Sequence, residues 1–215
     1  EKLFSGFDLE LHTHASAEAQ IAALSDDIAY NTHDIDDGLR AGLVDFEALK
    51  DIALPARALA TIDETYPNLP SDRRAFEVAR RMISELVHDV LTESRKLLDG
   101  SKARNAADIR ALDRPVIAFS KAIYADLQEL RAFLFHNLYR HPQVNRRRHK
   151  TSKIIRDLFE LYDERPNLLP VEKGMAEAMD DPVVRAGLVT DTIASMTDKA
   201  AIEEHRRQFD LYSID

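Results

Sequence analysis

The residues best placed to do chemistry lie between Glu18 and Arg40, in the run Glu-Ala-Gln-Ile-Ala-Ala-Leu-Ser-Asp-Asp-Ile-Ala-Tyr-Asn-Thr-His-Asp-Ile-Asp-Asp-Gly-Leu-Arg. Wound at about 100° per residue, Ile21, Leu24, Ile28 and Ile35 fall within roughly 60° of one another. Asp26, Tyr30 and Asp34 climb the opposite side at i, i+4 and i+8, accompanied by Ala19, Ala22, Ala23 and Asp37. From Glu18 to Asp37 there are six acids and no Lys or Arg. Carboxylates crowded in this way repel one another, so a cation is expected to face them, either a metal or basic side chains of a partner. The ordinary alternative is a surface helix with one apolar and one acidic side. Against it, the first half of the acidic side is alanine rather than long solvated side chains. That predicts close approach of a second surface, and an Asp buried there needs a partner.

Other candidates are weaker. His12-Thr-His14 has metal-compatible spacing on an extended segment, but two histidines do not make a site. His88-Asp89 shares a helical face with Glu85 and Arg95 and is expected at the surface. Arg140, Arg146, Arg147, Arg148, Lys150, Lys153 and Arg156 form a basic run with no acid among them. Arginine forks bind phosphate oxygens in pairs and lysine adds point charge. A solvated helix start, or an inter-subunit patch facing acidic helices, would look the same. Residues 142–158 contain no Phe, Tyr or Trp on which bases could stack, which argues against a single-stranded nucleic acid.

Composition narrows the field. There is no Cys, so thiol nucleophiles and disulfides are excluded. No Gly-x-Ser-x-Gly elbow and no glycine-rich phosphate loop occurs. With 38 acids against 29 bases the net charge is −9, which disfavours wholesale nucleic-acid binding. No apolar run approaches the roughly 20 residues of a membrane span, Glu1-Lys-Leu-Phe-Ser is not a signal peptide, and a reducing cytoplasm is the expected location.

The elements needed to hold these groups are helices. Valine, aromatics and glycine are sparse and the apolar spacing is helical, so an all-α fold is expected. Residues 1–15 read as irregular or extended. A helix over 17–37 starts at a Ser16 cap and stops at Gly38. A short helix begins near Asp45, and Pro67 to Pro70 is a break. Phe76, Ala79, Ile83, Leu86, Val87, Val90 and Leu91 carry a long helix from Ser71 to about Asp99. Residues 102–113 read as a loop or short turn, followed by a helix from Pro115 to about Arg140. Helices near 144–163, 171–180, 182–196 and 198–210 complete the chain. Phe133, Phe135, Phe159 and Tyr162 are expected in the core or an interface, and Glu203 to Arg207 on an amphipathic surface.

Three segments carry a family resemblance: residues 26–40, Tyr139-Arg-His running into Arg156-Asp-Leu-Phe-Glu-Leu-Tyr162, and Ile193 to Arg207. In this order they resemble deoxyguanosine triphosphate triphosphohydrolase-like proteins of the HD-domain phosphohydrolase superfamily. The resemblance implies the C-terminal part of an HD-domain-like helical fold. It implies hydrolysis of a deoxynucleoside triphosphate (dNTP) to the deoxynucleoside and inorganic triphosphate. It also implies a divalent metal (Mg, Mn or similar) held by a His, a His-Asp dyad and a final Asp. Asp26 corresponds to that final Asp, with Asp27 the alternative one residue away. Tyr30 would lie on the deoxyribose, leaving little room for a 2′-hydroxyl, and Asp34 would approach the 3′-hydroxyl.

The sequence also departs from the family pattern. The family's His and His-Asp dyad lie well upstream of the final Asp, and His33-Asp34 falls after it. The chain is therefore expected to hold no complete catalytic set, to bind no metal by itself, and to be part of a longer enzyme. Residues 1–50 would be the tail of the catalytic core and 51–215 a helical C-terminal domain. The resemblance favours phosphate or effector binding at Arg140, Arg146, Arg147, Arg148, Lys150 and Lys153, an effector dNTP, and a homo-oligomer. The alternative is a non-catalytic module for nucleotide-effector binding or oligomerisation.

Overall fold

The computed structural model describes residues 6, 8, 10–169 and 180–210, and among these it is helical with no strand. The helix expected over 171–180 lies outside the described residues. The chain parts into two compact units, Glu1–His141 and Pro142–Asp215.

The first unit is built on α1 (Ala17–Arg40). The Ser16 hydroxyl caps it, accepting from the Ala19 amide at 3.3 Å. Gly38 does not end it. Gly38 is buried inside the last turn, where an added Cβ would sit 3.1 Å from Val44 Cγ2 and 3.5 Å from Leu138 Cδ1. The stop comes at Gly42, with φ at +63°. There the Leu43 amide donates to the Gly38 carbonyl and the Gly42 amide to the Leu39 carbonyl, closing the helix as a Schellman turn. The sequence contains two glycines suited to the stop; close packing claims one and left-handed backbone the other.

After α2 (Phe46–Leu49), capped by Asp45, comes α3 (Ala53–Thr65), which the three prolines of 51–70 had hidden. Pro55 sits in its first turn, where its missing N–H has no intrahelical partner to lose. The long α4 (Ser71–Ser101) buries Ala75, Val78, Ala79, Met82 and Leu86. A short α5 (Ala106–Arg110) comes next. α6 begins at Lys121, not at Pro115, because residues 116–120 form a non-helical loop, four of whose amides are taken by side chains. Gln20 Oε1 accepts from Val116 and Ile117, Ser94 Oγ from Ala118, and Asp89 Oδ2 from Ser120. Asp89, the acid of the second His-Asp pair, thus holds a loop.

α6 (Lys121–Leu134) passes into a π-helical turn, Phe135–Tyr139. α1 packs on α4 and α6, and α3 on α4 and α6. One core joins Ile28, Ile35, Val44 and Leu49 to Leu54, Leu59, Ile62, Met82, Leu86, Leu127, Leu130 and Leu134. Residues 17–49 therefore share a core with α3, α4 and α6, and packing draws no border near residue 50.

The second unit packs α7 (Pro142–Glu164) against α8 (Pro182–Ser195) and α9 (Asp198–Phe209). Its core is Leu158, Tyr162, Leu169 and Val189. The 203–207 segment is not simply surface: Glu204 accepts from the Tyr162 hydroxyl at 2.7 Å, and His205 Nε2 lies 2.8 Å from Asp157.

Candidate active site

α1 presents its chemistry along one edge, against α6 and the π turn. Ile28 and Ile35 anchor the opposite side in the core; Leu24 is half-buried and Ile21 half-exposed. Two polar residues also go inward and satisfy themselves on the helix. Asn31 donates to the Asp27 carbonyl and Thr32 to the Ile28 carbonyl, both at 2.7 Å.

The acidic side is open. Asp26 is exposed, as are Ala19, Ala22 and Ala23, so among the described residues no second surface closes over them as the alanines predicted. Among the described residues no hydrogen bond or ion pair engages the Asp26 carboxylate. Its neighbour differs: Asp27 accepts from Arg131 Nη2 at 2.6 Å, a partly exposed pair between α1 and α6. Part of the expected cation is thus a basic side chain, and it faces Asp27. Asp36 is answered by Arg40 one turn on, at 2.7 Å.

Tyr30 and Asp34 meet a residue that face-counting did not place beside them. The Tyr139 hydroxyl donates to Asp34 Oδ2 in a short hydrogen bond. The Tyr139 and Tyr30 ring centroids are 6.3 Å apart, tilted by 47°. Burial raises the Tyr139 phenol above its ordinary value, and its bonds to Asp34 and Tyr30 raise it further, so Tyr139 stays a donor. Tyr30 is 58% exposed, leaving one face open.

The π turn explains why sequence spacing missed this arrangement. Arg131 and Tyr139 are eight apart, which on an α-helix leaves them about 80° from one another. In the turn the Arg140 amide donates to the Phe135 carbonyl, an i to i−5 bond. Each residue there advances by a smaller angle, which brings Tyr139 back toward the side of Arg131. Only an irregularity in the helix could have signalled this, and single residues do not announce one.

The remaining candidates disperse. His12 is exposed, while the His14 amide is tied to the Arg110 carbonyl. His33 and His88 are exposed. Arg140 belongs to the first unit and stands over the Phe135 ring at 4.8 Å. Arg146, Arg147, Arg148 and Lys150 lie exposed on the first turns of α7, and Lys153 pairs with Asp157 at 2.8 Å. Phe133 packs against the core, but Phe135 is 45% exposed. Among the described residues no three His, Asp or Glu side chains gather to hold a metal. The described residues therefore gather no set of metal ligands of their own.

A phosphohydrolase-associated domain matches residues 117–207, from the loop before α6 to α9. A deoxyguanosinetriphosphate triphosphohydrolase-like protein of Parvibaculum lavamentivorans is 46% identical over 207 residues, covering 95% of this chain and 52% of that protein. Proteins of the same description from Cereibacter sphaeroides and Caulobacter vibrioides are each 43% identical, over 94% and 95% of this chain and 53% and 52% of theirs. Fold and match together define an all-α chain with a phosphohydrolase-associated domain. The chain belongs to the deoxyguanosinetriphosphate triphosphohydrolase-like family, and it spans about half the length of the curated relatives it matches.

Proposed function

We propose that this chain is part of a metal-dependent phosphohydrolase that cleaves a dNTP to the deoxynucleoside and inorganic triphosphate. The observation that carries the reading is the contrast along α1. Asp26 is an exposed carboxylate without a partner among the described residues, while Asp27 is neutralised by Arg131 and Asp34 is bonded by Tyr139. That contrast favours Asp26 over Asp27 as the residue contributed to a metal, whose other ligands would come from outside the described residues. The functional border near residue 50 would mark the end of this contribution.

Tyr30 and Asp34 would receive the sugar. The exposed Tyr30 ring gives the deoxyribose a flat apolar wall, and an added 2′-hydroxyl on that side would meet carbon rather than a donor or acceptor. Asp34 accepts from Tyr139 through one oxygen, leaving lone pairs for a 3′-hydroxyl. Tyr139 thereby fixes the carboxylate before the substrate arrives.

The test is manganese-dependent triphosphate release from dGTP by the longer protein proposed to contain this chain. Asp26→Ala should abolish release, whereas near-normal turnover would reject the assignment. The 215 residues alone should release none; release would show that the ligand set is complete here.

A second reading, an effector-binding module, rests on one observation. Arg146, Arg147, Arg148 and Lys150 are exposed on α7 with no acidic partner among the described residues. Calorimetric titration of the chain with dNTPs tests it, and absence of heat would remove it. Oligomer formation belongs to the same proposal.

A further inference from the structure

We infer that the second unit holds a binding site for an amphipathic anion, an aliphatic chain that ends in a carboxylate or a phosphate. Where α7, α8 and α9 meet there is a cavity of about 400 Å³, walled by Ile154, Ile155, Phe159, Ile193, Met196 and Ile202. Ile154, Phe159 and Ile193 also pack on the core of the unit, whereas Ile155 and Ile202 are 47% and 41% exposed at the rim. The volume falls in the range that small ligands fill, about 300–1,000 Å³.

Hydrogen bonding inside the cavity selects what enters it. The only hydroxyls on the lining belong to Thr151 and Thr190, and both are turned onto their own helices. Thr151 donates to the Arg147 carbonyl at 3.1 Å and Thr190 to the Ala186 carbonyl at 2.7 Å. The lining side chains thus offer a guest no hydrogen-bond donor. A nucleobase buried there would leave its ring acceptors without partners, a cost that an aliphatic chain avoids. The one charged side chain on the lining is Asp198, in the first turn of α9. It repels an anionic head group, which is therefore directed toward α7.

There the cations wait. Arg185, near the start of α8, bonds Asp163, near the end of α7, at 2.9 Å, so the two helices run antiparallel. Eleven residues along each, from Arg185 to Met196 and from Asp163 to Ser152, bring Met196 level with Ser152. The turns of α7 before that point run on past the α8–α9 connection and carry Arg147 and Arg148. Both are exposed, with no acidic partner among the described residues. They precede Thr151 by four and three residues, which continues the stripe of α7 that lines the cavity by one turn. Guanidinium forks match the paired oxygens of a carboxylate or phosphate. A free fatty acid and the acyl tail of an anionic bilayer lipid share this chemistry. The inference stands apart from the catalytic reading, and it gives Arg147 and Arg148 a ligand other than a nucleotide.

The test is a nuclear magnetic resonance titration of the 215-residue chain labelled at its methionine methyls, with Met196 assigned through Met196→Leu. Octanoate, decanoate and dodecanoate, each kept below micelle formation, should shift Met196 saturably and leave Met82, enclosed in the core of the first unit, unmoved. Affinity should rise about fourfold for each methylene until the cavity is full. Decanol, the same chain without the charge, should bind about tenfold more weakly than decanoate. Replacing both cations, Arg147→Gln with Arg148→Gln, should erase that difference while the circular dichroism spectrum stays unchanged. Affinity that ignores chain length would overturn the site, and so would equal binding of decanol and decanoate by the wild-type chain. A dNTP should leave Met196 in place; a shift as large as that from decanoate would overturn the aliphatic assignment. Sedimentation with phosphatidylglycerol vesicles but not with phosphatidylcholine vesicles would identify a lipid tail as the source, and no sedimentation would identify the free acid.

Discussion

Replacing Tyr162 by Phe should loosen α9 from α7 by about 1–2 kcal/mol, and the structure gives the reasons. The Tyr162 ring is fully enclosed, and Phe fills the same volume, so apolar burial is kept. What is lost is the hydroxyl that donates to Glu204 Oε1 at 2.7 Å. A bond to an ionised carboxylate is worth about 1.5–3 kcal/mol. Glu204 keeps Arg207 at 2.5 Å and Gln208 at 2.8 Å, which offsets part of the loss. Its side chain is only 12% exposed, so water replaces little of the remainder. For a unit of this size the change corresponds to a fall of about 5–10 °C in melting temperature.

The assay is a double-mutant cycle with Glu204→Gln, followed by thermal melting and by hydrogen exchange of the α9 amides. Coupling of about 0.5 kcal/mol or more is expected. A Phe variant as stable as wild type, with no coupling, would refute the reasoning. Acid supplies a second check. Burial pushes the Glu204 carboxyl up, but bonds from Gln208 and Tyr162 and the charge on Arg207 outweigh it and hold the group below its ordinary value. A carboxyl lowered on folding stabilises above its unfolded pKa of about 4.3, and the contribution is lost as pH falls through the folded value. The gap between wild type and Tyr162→Phe should therefore close below about pH 4.

The first unit supplies two further outcomes. Gly42→Ala should cost about 1–2 kcal/mol in chemical denaturation, because the left-handed backbone at +63° strains any Cβ although the surrounding space is open. No loss would mean that α1 ends another way. The Tyr139 phenol is raised on folding by burial and then by Asp34, so its contribution is complete below the unfolded value of about 10 and is lost as pH climbs through the higher folded value. Phenolate absorbance should show a late-ionising tyrosine that Tyr139→Phe removes, and the same variant should flatten the alkaline loss of stability. An unchanged titration would refute the Asp34 contact.

The bodies of the long helices α1, α4 and α7, the cap at Ser16, and the buried stripe of Ile28 and Ile35 are local matters of periodicity and hydrogen-bonding side chains, and the sequence alone determined them. It also determined that Asp26, Tyr30 and Asp34 share one side of α1, since 3.6 residues per turn leaves no other arrangement. What it could not determine is who stands opposite. That Arg131 takes Asp27 and Tyr139 takes Asp34, across more than a hundred residues, depends on how α6 packs on α1 and on a π turn that rotates Tyr139 out of its α-helical register. The choice between Gly38 and Gly42 as the stop, and the half-burial of Glu204 and His205 against α7, were likewise settled by packing. A side chain's partner is fixed by the approach of a distant surface, and no local pattern encodes that distance.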